Sequence, residues 1–143
     1  MKRFVSLALS ITAFAILGLV SAPQARAHGL HCSNATLNGT YSASITGTLG
    51  GAPFAELDLV TSNGNGTFSG TGTISEDGVI STGVPVSATY TVNSDCSGSA
   101  VLSSGVTQNF NIKADGSEVD IIATVSGATV TAVAKRLNSQ DHN

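Results

Sequence analysis

The feature that most restricts how this chain can fold is a two-residue alternation of apolar and small polar side chains, broken at short intervals by glycine-containing turn pairs. Neighbouring residues of an extended strand point to opposite faces, so alternation of this kind marks a half-buried strand. Tyr41, Ala43 and Ile45 share one face, as do Ala55, Leu57 and Leu59, with Glu56 and Asp58 on the other side of the latter strand. Phe68 and Ile74 flank Gly70 and Gly72, and Val86, Ala88, Tyr90 and Val92 form the longest face. After Cys96 the pattern continues through Ala100 and Leu102, Phe110 and Ile112, then Val119, Ile121, Ala123 and Val125, and finally Val130, Ala132 and Ala134. From Asn38 onward no window carries a sustained helical apolar stripe.

Turn signals separate these runs: Gly50-Gly51, Asn63 to Gly66, Asp77-Gly78, Ser97-Gly98, Ser104-Gly105, Asp115-Gly116 and Ser126-Gly127. Their spacing of about 10 to 20 residues leaves no room for crossover helices, so neighbouring strands are expected to be antiparallel. The expected fold is all-β, an antiparallel up-and-down barrel of about eight strands, because closure removes exposed sheet edges. A β-sandwich is the alternative. A membrane-spanning barrel is disfavoured, since Tyr41, Phe54, Phe68, Tyr90 and Phe110 form no paired aromatic girdles.

The first 27 residues predict a cleavable signal peptide with a helical apolar core. Lys2 and Arg3 open it, a 17-residue apolar run from Phe4 to Val20 follows, and Ala25-Arg26-Ala27 supplies a small-x-small cleavage site. The remaining part, His28 to Asn143, is expected to be one barrel domain with short flexible ends, secreted or periplasmic. It would carry Lys113, Lys135 and Arg136 against nine acidic residues, a net charge of −6. That balance argues against nucleic acid as a partner and against anionic membrane surfaces. No stable membrane insertion is expected. Both cysteines, Cys32 and Cys96, lie in the exported part, and an even count in an oxidising compartment reads as a disulfide.

Two segments carry a resemblance. Cys32-Ser-Asn-Ala-Thr-Leu37-Asn-Gly39-Thr-Tyr41 and Tyr90-Thr-Val92-Asn-Ser-Asp95-Cys96-Ser-Gly98 resemble the Cys-x-x-x-x-Leu-x-Gly-x-Tyr and Tyr-x-Val-x-x-Asp-Cys-x-Gly segments of small exported bacterial proteins of the allene oxide cyclase-like and calycin-type barrel group. The run Asn65-Gly66-Thr67-Phe68-Ser69-Gly70-Thr71-Gly72 fits as well. The resemblance spans roughly Cys32 to Lys135 and implies a barrel and a disulfide, but it matches no catalytic position. On this reading the bridge ties the start of the first strand to the turn before the sixth, and Tyr41 and Tyr90 become barrel core or pocket lining.

Chemistry-bearing clusters are few. No histidine lies between His31 and His142, which leaves a Ser-His-Asp arrangement unsupported. Cleavage after Ala27 would make His28 an N-terminal residue near His31, a weak candidate for copper binding at a chain end. No metal or cofactor is expected otherwise. Glu56 with Asp58 and Glu118 with Asp120 each share a strand face, and both pairs are expected on the solvated outer surface because they lie opposite apolar faces. Small residues on the apolar faces, among them Ala43, Ala88, Ala123 and Ala132, leave room for a ligand inside a barrel. Candidate pocket-lining residues are Tyr41, Phe68, Tyr90, Gln108 and Phe110, with Asn109 and Asn111 the other polar strand residues of interest. The expected role is non-enzymatic, either binding a small apolar ligand or serving in the cell envelope. The alternative is a cyclase- or isomerase-type enzyme using polar groups inside the barrel.

Overall fold

The computed structural model describes residues 31 to 137; residues 1 to 30, with the expected signal peptide, its helix and His28, and the tail from 138 onward lie outside the described residues. A short 3-10 helix, η1 (Asn34–Leu37), precedes eight strands: β1 (Gly39–Leu49), β2 (Ala52–Ser62), β3 (Thr67–Glu76), β4 (Val79–Val92), β5 (Ser97–Leu102), β6 (Thr107–Ile112), β7 (Glu118–Ala123) and β8 (Ala128–Arg136). Each strand pairs with its sequence neighbour, and β8 returns to β1, so the sheet is a closed up-and-down barrel. The expected fold class is the observed one. A sandwich is excluded because β1 and β8 pair antiparallel from Tyr41↔Arg136 to Leu49↔Ala128.

Closure gives every strand an inner and an outer face. Inside lie Tyr41, Ala43 and Ile45 of β1, Ala88, Tyr90 and Val92 of β4, Phe110 and Ile112 of β6, and Ala132 and Ala134 of β8, all buried. The outer positions of β1 and β3 are almost entirely Ser and Thr, including Ser44, Thr46, Ser69, Thr71 and Thr73. Their hydroxyls suit a face turned to solvent, and the β-branched Thr favours the strand itself.

Strand β2 runs against expectation. Its Leu57 and Leu59 are 56% and 53% exposed, whereas Asp58 is buried and Glu56 half-buried. The reason is register: the two-residue turn Gly50-Gly51 pairs Leu49 with Ala52, and counting back along both strands places Tyr41 opposite Val60, Ala43 opposite Asp58 and Ile45 opposite Glu56. Once β1 turns Tyr41, Ala43 and Ile45 inward, their partners must follow, because directly opposed residues share a face. Ser97 and Gly98 belong to β5, and the preceding turn is Asn93 to Cys96, closed by Asn93 N–H to Ser97 O at 2.8 Å and containing Cys96 at φ 69°.

The two ends of the barrel differ. At one end η1 and the β2–β3, β4–β5 and β6–β7 turns converge, and the Cys32–Cys96 disulfide fastens the segment before η1 to the turn before β5, not before the sixth strand. The Cys32 N–H also donates to Ser94 O at 3.2 Å. Toward the opposite end the inner positions loosen from buried to half-buried: Tyr41, Ala43 and Ile45 give way to Leu49, and Ser62, Val60 and Asp58 to Glu56 and Phe54. The β3–β4 hairpin runs past the span of β4 that pairs with β5, with Val79 and Ile80 each 69% exposed.

The disulfide closes a separation of 64 residues. Chain-entropy arguments assign such a loop about 4 kcal/mol. The double substitution Cys32→Ala/Cys96→Ala is therefore expected to lower unfolding free energy by about that amount in urea titration while leaving the β-type circular dichroism in place. An unchanged midpoint would show that η1 is held without the bridge.

Candidate functional site

The barrel encloses a cavity of about 370 Å³ that runs from Leu37 and Tyr41 at the η1 end to Leu49, Ser104 and Val125 at the other. Its walls are mostly aliphatic and aromatic, as expected of a site for a small organic molecule. Alanines at inner positions of β1, β5, β7 and β8 create the space: Ala43, Ala100, Ala123 and Ala132 all line it.

The η1 end is a hydrogen-bonded floor. Tyr41 Oη donates to Gly116 O at 2.8 Å and accepts from Arg136 Nε at 3.1 Å, and Arg136 Nη2 continues to Thr36 O at 2.6 Å. The guanidinium also lies 5.6 Å from the centre of the Tyr41 ring, within cation–π range. Burial raises the Tyr41 hydroxyl above its ordinary pKa, against the opposing pull of Arg136, so it remains a neutral donor. Gly116 is required here: its φ is +68°, and a Cβ would collide with Thr36 O and the Arg136 guanidinium. On the other side of the floor Tyr90 Oη bonds Ser62 Oγ at 2.8 Å and Asn34 O at 3.2 Å, while Val92 N–H donates to Asn34 Oδ1 at 2.8 Å. The Phe68 and Tyr90 rings stack at 6.5 Å between centroids.

Tyr41, Phe68, Tyr90, Gln108 and Phe110 all stand on the cavity wall. Tyr41 and Tyr90 serve two purposes, since their rings line the space while their hydroxyls are committed to the floor. Asn109 and Asn111 are exposed on the outer face of β6. Glu118 and Asp120 are also outward, with Glu118 held by Lys113 at 2.9 Å and Lys135 at 3.8 Å. His31 is exposed, and no cluster of three or more metal-ligating side chains occurs among the described residues.

The residues that sequence reasoning misplaced are Glu56 and Asp58, which line the cavity rather than the outer surface. Asp58 sits between Ala43 of β1 and Gly72 of β3, its two cross-strand partners, and both are small. The fit at Gly72 is close: a Cβ there would fall on Asp58 Oδ1 and lie 3.2 Å from Glu56 Oε1, so the missing side chain is what houses both carboxyls. Among the described residues no backbone N–H and no Ser, Thr or Tyr hydroxyl reaches the buried Asp58 Oδ1. Burial, then the charge of Asp58, then a hydrogen bond to it push Glu56 up to about 7. Burial also raises Asp58, offset in part by the hydrogen bond that protonated Glu56 donates to it. Two carboxyls sharing one proton are the consequence. The signal that could have found them is the two-residue Gly50-Gly51 turn, which fixes which face of β2 follows Tyr41 inward.

No protein-family model matches the chain, and no curated protein matches it. Among solved structures it is similar to a de novo designed fluorescence-activating beta barrel, at 13% identity and a TM-score of 0.41, over 70% of this chain and 93% of that one. The closed eight-strand topology rests on the pairings above, independently of that likeness.

Glu56 gives the barrel a distinctive pH response. A carboxyl whose folded pKa lies above its unfolded value of 4.5 stabilises the fold most below 4.5, and that contribution is lost as pH rises through about 7. Asp95, Asp115 and Glu118 are shifted the opposite way, so their contributions change only at lower pH. The melting temperature is therefore expected to fall between about pH 5 and pH 8, and Glu56→Gln is expected to flatten that slope. A rise over the same window would contradict an inward Glu56.

Proposed function

We propose that this chain is an exported barrel that binds one small, mainly apolar molecule in its interior, admitted through the end opposite η1. One observation carries the reading: a cavity of about 370 Å³ with apolar walls, floored at one end and reaching half-buried positions at the other. Eight-stranded barrels sit at the size where the interior is either filled by side chains or holds one ligand. Inner alanines and glycines tip this one toward the second outcome. Export is supported by the signal-peptide pattern and by the disulfide, which persists in oxidising compartments. The Ser and Thr on the outer faces of β1 and β3 are unlike the apolar belt of a membrane-spanning barrel. An affiliation with the calycin-type or allene oxide cyclase-like group rests on the Cys32–Tyr41 and Tyr90–Gly98 segments, which meet at the floor.

One observation favours the second reading, a cyclase- or isomerase-type enzyme: a carboxyl poised near pH 7 inside an apolar cavity is placed to exchange protons with a bound molecule. The binding reading asks less of the site, since it needs the cavity alone.

The test is saturable binding of a neutral apolar fluorophore such as N-phenyl-1-naphthylamine. One molecule per chain is expected, and Ala123→Phe, which places a ring in the cavity, is expected to weaken binding by about tenfold or more with the melting profile kept. Equal binding by the variant, or none by the wild-type chain, would overturn the proposal.

A further inference from the structure

The cavity is apolar but not neutral. Its lining includes Asp58, Glu56 and Glu76 and, among the described residues, no lysine, arginine or histidine. The three carboxylates form a column along one wall: Asp58 is deepest, Glu56 is one inward position nearer the open end on the same strand, and Glu76 lies beyond it, paired with Phe54 at the exposed end of β3. Asp58 is 8% exposed, and among the described residues no backbone N–H and no Ser, Thr or Tyr hydroxyl reaches its Oδ1. The other polar side chains near the floor are spoken for, since Tyr41 is bonded to Gly116 and Arg136, and Tyr90 to Ser62 and Asn34. The column is therefore the cavity's charge, and its sign is negative.

We infer that the Glu56–Asp58 pair is the recognition site for a protonated nitrogen, so that the ligand class of this barrel is an organic monocation, an ammonium carried on an apolar body. The inference rests on the interior-binding reading above and gives it chemical specificity. A buried pair of carboxyls that, among the described residues, has no hydrogen bond beyond the one it shares is costly to ionise, and an ammonium supplies both the opposite charge and the missing hydrogen bonds. Phe54, Phe68 and Phe110 also stand on the surrounding wall, and aromatic rings attract a cation that lies over their faces. Glu76 at the rim extends the negative potential to the entrance, where it draws cations in and repels anions. A bare metal ion is a poorer match, because among the described residues no third metal-ligating side chain joins the pair and the wall around it is mainly apolar. The proton that Glu56 holds is displaced when the ammonium arrives, so binding tightens as pH rises through about 7. The ionisable side chains that face this region are Tyr41 and Tyr90 at the floor and Glu76 at the rim, and among the described residues no cationic side chain stands on the wall to oppose that direction.

Three probes of one shape separate the possibilities: 4-phenylbutylamine, 4-phenylbutan-1-ol and 4-phenylbutanoate, titrated calorimetrically into the purified protein at about pH 8. The amine is expected to bind about tenfold or more tighter than the alcohol, with the carboxylate weakest. That advantage is expected to shrink at about pH 5.5. Asp58→Asn and Glu56→Gln are each expected to bring the amine close to the alcohol while leaving the alcohol's affinity in place. The amine-to-alcohol ratio in the wild-type chain stands as a test even if a variant fails to fold. Equal affinity of amine and alcohol, or a preference for the carboxylate, would overturn the cation assignment and leave the interior-binding reading intact. Binding of none of the three would overturn both.

Discussion

Everything in this barrel depends on the pairing of β1 with strands on both sides, β2 through a two-residue turn and β8 across the closing seam. A strand committed on both edges cannot shift register without breaking two ladders, so the inward set Tyr41, Ala43 and Ile45 is fixed. From there the constraint spreads. Ala43 stands opposite Ala134 on one side and Asp58 on the other, and Tyr41 stands opposite both Arg136 and Val60. The seam that closes the sheet thus also brings Arg136 to the Tyr41 hydroxyl, and the hairpin that starts the sheet turns a carboxyl into the cavity.

The same geometry makes the ends unequal. The floor concentrates the disulfide, η1 and two tyrosine-centred hydrogen-bond networks, each satisfying backbone carbonyls that would otherwise be buried without a partner. The opposite end has looser inner positions and an overhanging β3–β4 hairpin. A rigid base with a loosely filled mouth is the arrangement that lets a barrel keep interior space without losing its closure. It also places the carboxyl column on the wall between the two.

Much of this was legible from the alternation pattern. Every run except the one in β2 was assigned the face it occupies, because in Tyr41-Ala43-Ile45 or Val86-Ala88-Tyr90-Val92 one face is plainly the more apolar. In β2 both faces are mixed. Leu57 and Leu59 outweigh Phe54 and Val60 in hydropathy, so burial reasoning chose the wrong side, whereas the count across Gly50-Gly51 would have chosen the right one. Pairing geometry overrides side-chain preference when the neighbouring strand is already fixed. The floor was not legible either, since Arg136 and Gly116 meet Tyr41 only after closure, across sequence separations of 95 and 75 residues. Of the five aromatic and polar residues singled out for the pocket, all reach the cavity wall, whereas Glu56 and Asp58 are the lining residues that the apolar-face reading puts in solvent.

The central claim is that β2 turns Glu56 and Asp58 inward as a proton-sharing pair. Carbon-detected NMR of the side-chain carboxyls across an acid-to-alkaline titration reads it directly. The account predicts that Glu56 titrates near 7, that its curve is coupled to a raised Asp58, and that Asp95, Asp115 and Glu118 titrate below their ordinary values. Independent titration of Glu56 and Asp58 in the ordinary carboxylate range, as two solvated side chains would show, would contradict it.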